Sequence, residues 1–232
     1  MPLYQLRADS IAFPPINEAL EEPAGLLAMG GDLSVERLIN AYQSGIFPWY
    51  SEGEPILWWA PMPRMVLAPE QVRISRSMMK FMRKQTYEVT YDCAFQQVIK
   101  QCAKTLRKGQ PESSATWILP DMQIAYTRLF DAGYAHSIEV WDGPTLVGGL
   151  YGVAIGKLFF GESMFSHRSN ASKLAFIRLA GLLTKWQFEL IDCQLPTDHL
   201  VSLGAQEIGL SKFQEYLNSN NQCGLGSHWD AC

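Results

Sequence analysis

Residues 137–160 read Ser-Ile-Glu-Val-Trp-Asp-Gly-Pro-Thr-Leu-Val-Gly-Gly-Leu-Tyr-Gly-Val-Ala-Ile-Gly-Lys-Leu-Phe-Phe. Two strand-like runs, 137–141 and 145–154, flank Asp142-Gly143, a strong short-range hairpin signal. Ile155-Gly156 then turns the chain into a third run at 157–160, so the stretch predicts a three-stranded meander. N-terminal to it, a strand at 65–67 and helices at about 75–84, 94–106 and 120–132 fit the apolar spacing. C-terminal to it, a helix at 172–187 precedes a short buried strand at 189–194. Helices, then a meander, then a helix and a strand suggest an α+β or α/β domain around one sheet. The polar tail from Asn218 reads as loosely held.

Further toward the N-terminus, Asp32 or Ser34 caps a helix whose Val35, Leu38, Ile39 and Tyr42 share one face, and Gly45 stops it. Pro61, Pro63 and Pro69 follow closely, placing a domain boundary near residues 61–64. The expected division is 1–62 and 63–232. The chain has 232 residues, of which 47% are apolar and 18% charged, which excludes a disordered segment and allows a sizeable core. Its first residues lack the apolar heart of a signal peptide, and the longest apolar run, 146–155, is half of the ~20 residues a membrane helix needs. Five cysteines without a CxxC pair, and histidines without HExxH spacing, support neither a disulfide framework nor a metal site. The reading is a reduced cytoplasmic protein.

The net charge of −4 and pI of about 5.6 argue against nucleic acid only as averages. Residues 71–108 carry nine basic side chains against Glu88 and Asp92, a net +7, which leaves −11 for the rest. On a helix, Arg76, Lys80, Arg83 and Lys84 share one face, with Met78, Met79 and Met82 free to turn inward. Such a stripe follows phosphates or is simply a solvated face. Trp49 and Trp117 stand in loop-like surroundings, as core plugs or as a pair that stacks on a base. Trp58 and Trp59 look like packing. Along 190–194, alternation puts Ile191 and Cys193 on one face and Asp192 with Gln194 on the other. Two polar groups on a buried strand need partners or a function. Glu162 is a lone carboxylate among aromatics and methionines, suited to a salt bridge or to a pocket for a cationic group.

These segments resemble a known family. Gly30-Gly31-Asp32-Leu33, Phe47-Pro48-Trp49, Ile56-Leu57-Trp58-Trp59, His136-Ser137-Ile138-Glu139-Val140-Trp141, Gly161-Glu162-Ser163-Met164-Phe165-Ser166, Ile191-Asp192-Cys193-Gln194 and Ser202-Leu203-Gly204-Ala205 are similar to motifs of the bacterial leucyl/phenylalanyl-tRNA–protein transferases. The match runs from about residue 11 to residue 205. It implies a small N-terminal domain plus a C-terminal domain similar to the GCN5-related N-acetyltransferases (GNAT-like), with a mixed central sheet. The implied activity moves Leu, Phe or, less readily, Met from its tRNA to the α-amine of a protein beginning with Arg or Lys, marking it for N-degron degradation. The implied partners are leucyl-tRNA, phenylalanyl-tRNA and such protein N-termini. No metal, cofactor or membrane is implied, and the chain is expected to act as a monomer.

Position by position, the resemblance makes Trp49 and Trp117 the holders of the tRNA's terminal adenosine. It makes Arg76, Lys80, Arg83 and Lys84 the cluster on the acceptor region. Leu150, Phe159, Met164, Phe176 and Ile191 become the wall of the aminoacyl pocket. Asp192, Gln194 and Glu162 become the catalytic polar residues beside the reacting ester and amine, with Asp192 expected to polarise or orient Gln194. Three other readings remain open. An acetyl-CoA-dependent N-acetyltransferase shares the implied fold, but its Gly-rich pyrophosphate loop has no clear copy before the helix at 172–187. A non-catalytic tRNA-binding module leaves the 190–194 strand unexplained. A tRNA-dependent ligase for cell-wall peptide fits less well with the Trp49 motif and the short length.

Overall fold

The Asp142-Gly143 turn joins β7 (Ala135–Asp142) to β8 (Thr145–Ile155), and β9 (Leu158–Ser166) completes the meander in this computed structural model, which describes residues 3–105, 116–222 and 229. β9 runs six residues beyond the expected 157–160, because the apolar alternation that marks a strand breaks at Gly161-Glu162. The other strands are β1 (Tyr4–Leu6), β2 (Leu26–Gly30), β3 (Phe47–Pro48), β4 (Leu57–Trp59), β5 (Arg64–Leu67), β6 (Glu88–Tyr91), β10 (Leu190–Gln194) and β11 (Gln206–Ile208). The helices are α1 (Val35–Gln43), α2 (Arg76–Arg83), α3 (Phe95–Lys104), α4 (Pro120–Asp131), α5 (Ala171–Lys185), α6 (Asp198–Ser202) and α7 (Leu210–Gln222).

The result is an α+β protein with two sheets. A small N-terminal sheet has the order β1-β2-β4-β3, and a larger mixed sheet has the order β11-β5-β10-β9-β8-β7-β6. Neighbours in the larger sheet are antiparallel except β9 and β10, which run parallel through Leu158–Phe160 and Leu190–Asp192. A mixed sheet with one such parallel pair is consistent with an N-acetyltransferase-like fold. α5 covers one face of the sheet, and α1, α3 and α4 cover the other. α5 begins hard against β8: a Cβ at Gly148 would lie 2.5 Å from that of Ala171. The second face shares its core with the N-terminal sheet, since Leu27, Tyr42, Trp58, Tyr126, Phe160 and Phe213 pack in one cluster.

Ser34, rather than Asp32, caps α1 by accepting the Arg37 backbone N–H, while Asp32 accepts that of Ser34. The tail departs from expectation over 218–222, while 223–228 and 230–232 lie outside the described residues. α7 continues through Gln222, and Asn220 is buried, accepting the Lys157 backbone N–H at 2.6 Å and donating to the Ile155 carbonyl at 2.9 Å. A side-chain amide that satisfies the β8–β9 turn anchors a helix that composition alone reads as loose. Trp229 stacks on His136 with ring centroids 4.1 Å apart.

Candidate active site

β9 and β10 pair for three residues and then part, and the pocket lies in that split. Each strand carries a bulge where it leaves the pairing. On β9, Tyr151 faces Ser163 while Gly152 faces Gly161, so Glu162 is the extra residue. Phe160 and Phe165 therefore share one face five residues apart, an odd spacing that unbroken alternation forbids. On β10, Asp192 faces Val66 and Gln194 faces Met65, which makes Cys193 the extra residue and leaves Gln194 at φ 63°. Bulges re-aim side chains beside functional sites, and a non-glycine residue in the left-handed region persists only where its surroundings hold it.

The split opens into a pocket of about 540 Å³. Leu150, Phe159, Met164, Phe176 and Ile191 all line it, arriving from β8, β9, α5 and β10. Leu179, Leu200 and His199 also line it and were not anticipated. Leu179 lies one helical turn from Phe176 and could have been read from that spacing. A larger groove of about 820 Å³ lies on the other side of α5, with Met82, Tyr87, Ile177 and Arg178 in its wall, and contains neither Glu162 nor Gln194.

Glu162 and Gln194 form the polar end of the β9–β10 pocket. Gln194 Nε2 donates to Glu162 Oε1 at 2.9 Å, and the Tyr126 hydroxyl donates to Glu162 Oε2 at 2.9 Å. Tyr126 in turn shares a hydrogen bond with the buried Tyr42 hydroxyl. Burial pushes the Glu162 carboxyl up to about 7, against the pull of hydrogen bonds from Tyr42, Tyr126 and Gln194, and the nearby Asp192 adds to the rise. Tyr42 and Tyr126 look like core residues in the sequence because their rings do pack in the core. Only their hydroxyls reach the site.

Asp192 is placed differently from expectation. It does not share a face with Gln194, since the bulge at Cys193 turns the two apart. Its fully buried carboxylate accepts from Arg64 Nε at 2.8 Å and Nη2 at 2.8 Å, and from the backbone N–H of Gln194 at 2.9 Å. The Arg64 guanidinium also donates to the Gly45 carbonyl and lies 5.0 and 4.8 Å from the ring centroids of Phe47 and Phe213. Asp192 therefore orients the Gln194 backbone rather than its amide, and Glu162 holds the amide. Arg64 was missed, although a lone arginine opening the apolar run Met65-Val66-Leu67 is a signal for a buried partner. Cys193 lines the pocket, but burial, reinforced by Asp192, pushes its thiol well above the usual range, so it is no thiolate nucleophile at neutral pH.

The remaining expected residues lie outside this pocket wall. Trp49 is 40% exposed and rests on Trp59, with ring centroids 5.4 Å apart. Trp117 is half-buried against the core on the α4 side of the sheet, and no ring contact joins it to Trp49 among the described residues. Arg76, Lys80, Arg83 and Lys84 are all exposed on α2 and at its C-terminal end. Met78 is buried and Met82 half-buried beneath them, but Met79 is 42% exposed rather than turned inward. Arg107 and Lys108 lie outside the described residues. Among the described residues, no three His, Cys, Asp or Glu gather to hold a metal ion, and no helix is long and apolar enough to cross a membrane.

The chain is similar to known proteins over most of its length. A family model described as leucyl/phenylalanyl-tRNA protein transferase matches residues 66–218, and that for the family's N-terminal domain matches 31–62. The leucyl/phenylalanyl-tRNA–protein transferase of Azotobacter vinelandii is 54% identical over 212 residues, covering 91% of this chain and 92% of its own. That of Pseudomonas syringae pv. tomato is 56% identical over 217 residues, covering 93% and 92%. Among solved structures, L-PGS from Bacillus licheniformis is 11% identical with a TM-score of 0.43, covering 84% of this chain and 63% of its own.

Proposed function

This chain belongs to the leucyl/phenylalanyl-tRNA protein transferase family, and on that premise we propose how it acts and on what. It takes Leu or Phe, and Met more weakly, from the corresponding aminoacyl-tRNA. It transfers that group to the α-amine of a protein beginning with Arg or Lys, in the cytoplasm and as a monomer. The new N-terminus is an N-degron. Residues 1–62 and 63–232 are the two domains of the enzyme.

The observation that carries this reading is the split between β9 and β10, which sets an amide and a carboxylate at the end of an apolar pocket. The reaction is aminolysis of an ester. The amine nitrogen forms a bond to the ester carbonyl carbon, the bond from that carbon to the ribose oxygen breaks, and the proton lost by the amine ends on the ribose oxygen. The ester is already activated, and an α-amine with a pKa near 8 is partly neutral at pH 7. Positioning then supplies most of the acceleration, up to ~7–11 kcal/mol in favourable cases. Gln194 Oε1 accepts a hydrogen bond from the attacking amine and directs its lone pair at the carbonyl. Glu162 faces the ammonium of the aminoacyl group or the basic acceptor terminus. Asp192 acts on Gln194 through its backbone.

Leu150, Phe159, Met164, Phe176 and Ile191 select the aminoacyl side chain by burial. Each buried methylene is worth about 0.8 kcal/mol, which admits Leu, Phe and Met in a graded way and rejects small or polar side chains. Trp49 and Trp117 stack on the terminal adenosine, and Arg76, Lys80, Arg83 and Lys84 run along acceptor-stem phosphates. The test is to incubate the protein with leucyl-tRNA, a peptide beginning with Lys or Arg, and acetyl-CoA as competing donor. Mass spectrometry should find one added leucyl residue on that peptide and none on a peptide with an acetylated N-terminus. Addition of an acetyl group, or of nothing, would overturn the proposal.

A further inference from the structure

A carboxylate can only accept hydrogen bonds, so its charge decides which end of a neighbouring amide it holds. Glu162 receives the Gln194 amide nitrogen on Oε1 and the Tyr126 hydroxyl on Oε2, each at 2.9 Å. With the nitrogen held by Glu162, the amide oxygen of Gln194 is turned away from the carboxylate. While Tyr126 donates to Oε2, a proton taken up by Glu162 sits on Oε1 and faces Gln194. The partner that accepts it there is the amide oxygen, which reverses Gln194 and turns its nitrogen outward. An N–H facing an amine cannot accept that amine's proton.

What keeps Glu162 ionised is a set of neutral donors. From α1 comes Tyr42, from α4 Tyr126 and from β10 the Gln194 amide, with the Tyr151 ring from β8 packed against that of Tyr126 at 5.5 Å. Asp192 on β10 opposes its ionisation, and the Arg64 guanidinium on β5 is bound to Asp192. Among the described residues, no Lys, Arg or His forms an ion pair with Glu162. We propose that Tyr126, backed by Tyr42, is a positioning residue for transfer: its hydroxyl holds Glu162 as a pure acceptor, and Glu162 thereby fixes the Gln194 amide with its oxygen toward the reacting amine. The inference rests on the function proposed above, since it assigns that amine to the acceptor protein. It also ties the N-terminal segment to the chemistry, because Tyr42 lies on α1.

The experiment compares the full-length protein with Tyr126→Phe, which keeps the ring and removes one donor. In protein carrying 13C-labelled glutamate, the Glu162 carboxyl is identified by the signal that Glu162→Gln removes, and is titrated by NMR. Loss of a hydroxyl donor should move its midpoint up by about one pH unit. The acid limb of leucyl transfer should move by the same amount, with kcat at pH 7 falling about fivefold and KM for leucyl-tRNA changing less than twofold. The limb due to the acceptor amine is common to both proteins, so any displacement between them reports Glu162. An unmoved NMR midpoint overturns the role of Tyr126, and a moved midpoint with an unmoved rate profile overturns the role of Glu162 in orienting Gln194. If the wild-type protein transfers no leucyl group, the proposed function fails, while the titration still decides whether the tyrosine holds the carboxylate. Should Tyr126→Phe not fold, Tyr42→Phe takes its place in the same titration and rate profile, with a smaller displacement expected in the same direction and the same two results overturning the proposal.

Discussion

Two buried carboxylates flank the split between β9 and β10, and the chain holds them in opposite ways. Asp192 is locked to a cation: Arg64 meets it through two nitrogens, and its remaining capacity goes to the backbone of Gln194. Glu162, 7% exposed, is held by tyrosine hydroxyls and an amide, and burial pushes its carboxyl up to about 7. The paired carboxylate fixes the bulge, and the unpaired one faces the pocket. The contrast separates a charge used for shape from a charge left available for chemistry.

Removing the partner of a buried cation is the harshest way to probe that contrast. Asp192→Ala leaves the Arg64 guanidinium buried without its carboxylate, which should cost about 3–5 kcal/mol of stability. The denaturant midpoint should fall accordingly, and transfer by the remaining folded protein should fall further as the Gln194 backbone loosens. A wild-type midpoint would mean that Asp192 is not the anchor described.

Glu162→Gln should act in the opposite direction. The folded-state pKa of Glu162 is raised from 4.5 to about 7, so its contribution to stability is complete below pH 4.5 and is lost as the pH rises through 7. Above pH 7 the ionised group therefore costs the wild-type fold about 3 kcal/mol that the neutral amide does not incur. Thermal melts should show the variant more stable at pH 8, with the gap closing toward pH 4.5. A gap of constant size at every pH would show that burial of charge is not its cause.

The smallest effect on the fold is expected at the exposed charges. Arg83→Ala with Lys84→Ala should leave the denaturant midpoint within about 0.5 kcal/mol of wild type. The same pair should weaken leucyl-tRNA binding and flatten the slope of log affinity against log salt by roughly 1.4–1.8. An unchanged slope would make α2 a solvated face and nothing more.

Much of the fold was legible because it rests on local signals. The Asp142-Gly143 turn, the helical faces of α1 and α2 and the apolar run of β8 are each written within a few residues. The five residues that the resemblance assigned to one pocket wall do line a single cavity. Periodicity misled at the bulges. Alternation placed Gln194 beside Asp192 and ended β9 at residue 160, whereas one extra residue in each strand reverses the parity beyond it. Partners distant in sequence were also hidden. Arg64 lies 128 residues from Asp192, and Tyr126 lies 36 from Glu162, so no window along the chain shows either pair. The N-terminal strands were missed because most are three residues or fewer and take their stability from pairing and the shared core.

The central claim is that Gln194, at the end of the β9–β10 pocket, directs the attacking amine. Single-turnover transfer from saturating leucyl-tRNA to an Arg-initiated peptide, measured for the wild type and for Gln194→Ala, tests it most directly. The rate should be about 100-fold lower in the variant, with leucyl-tRNA affinity and the denaturant midpoint unchanged. Transfer at the wild-type rate by the variant would contradict the claim.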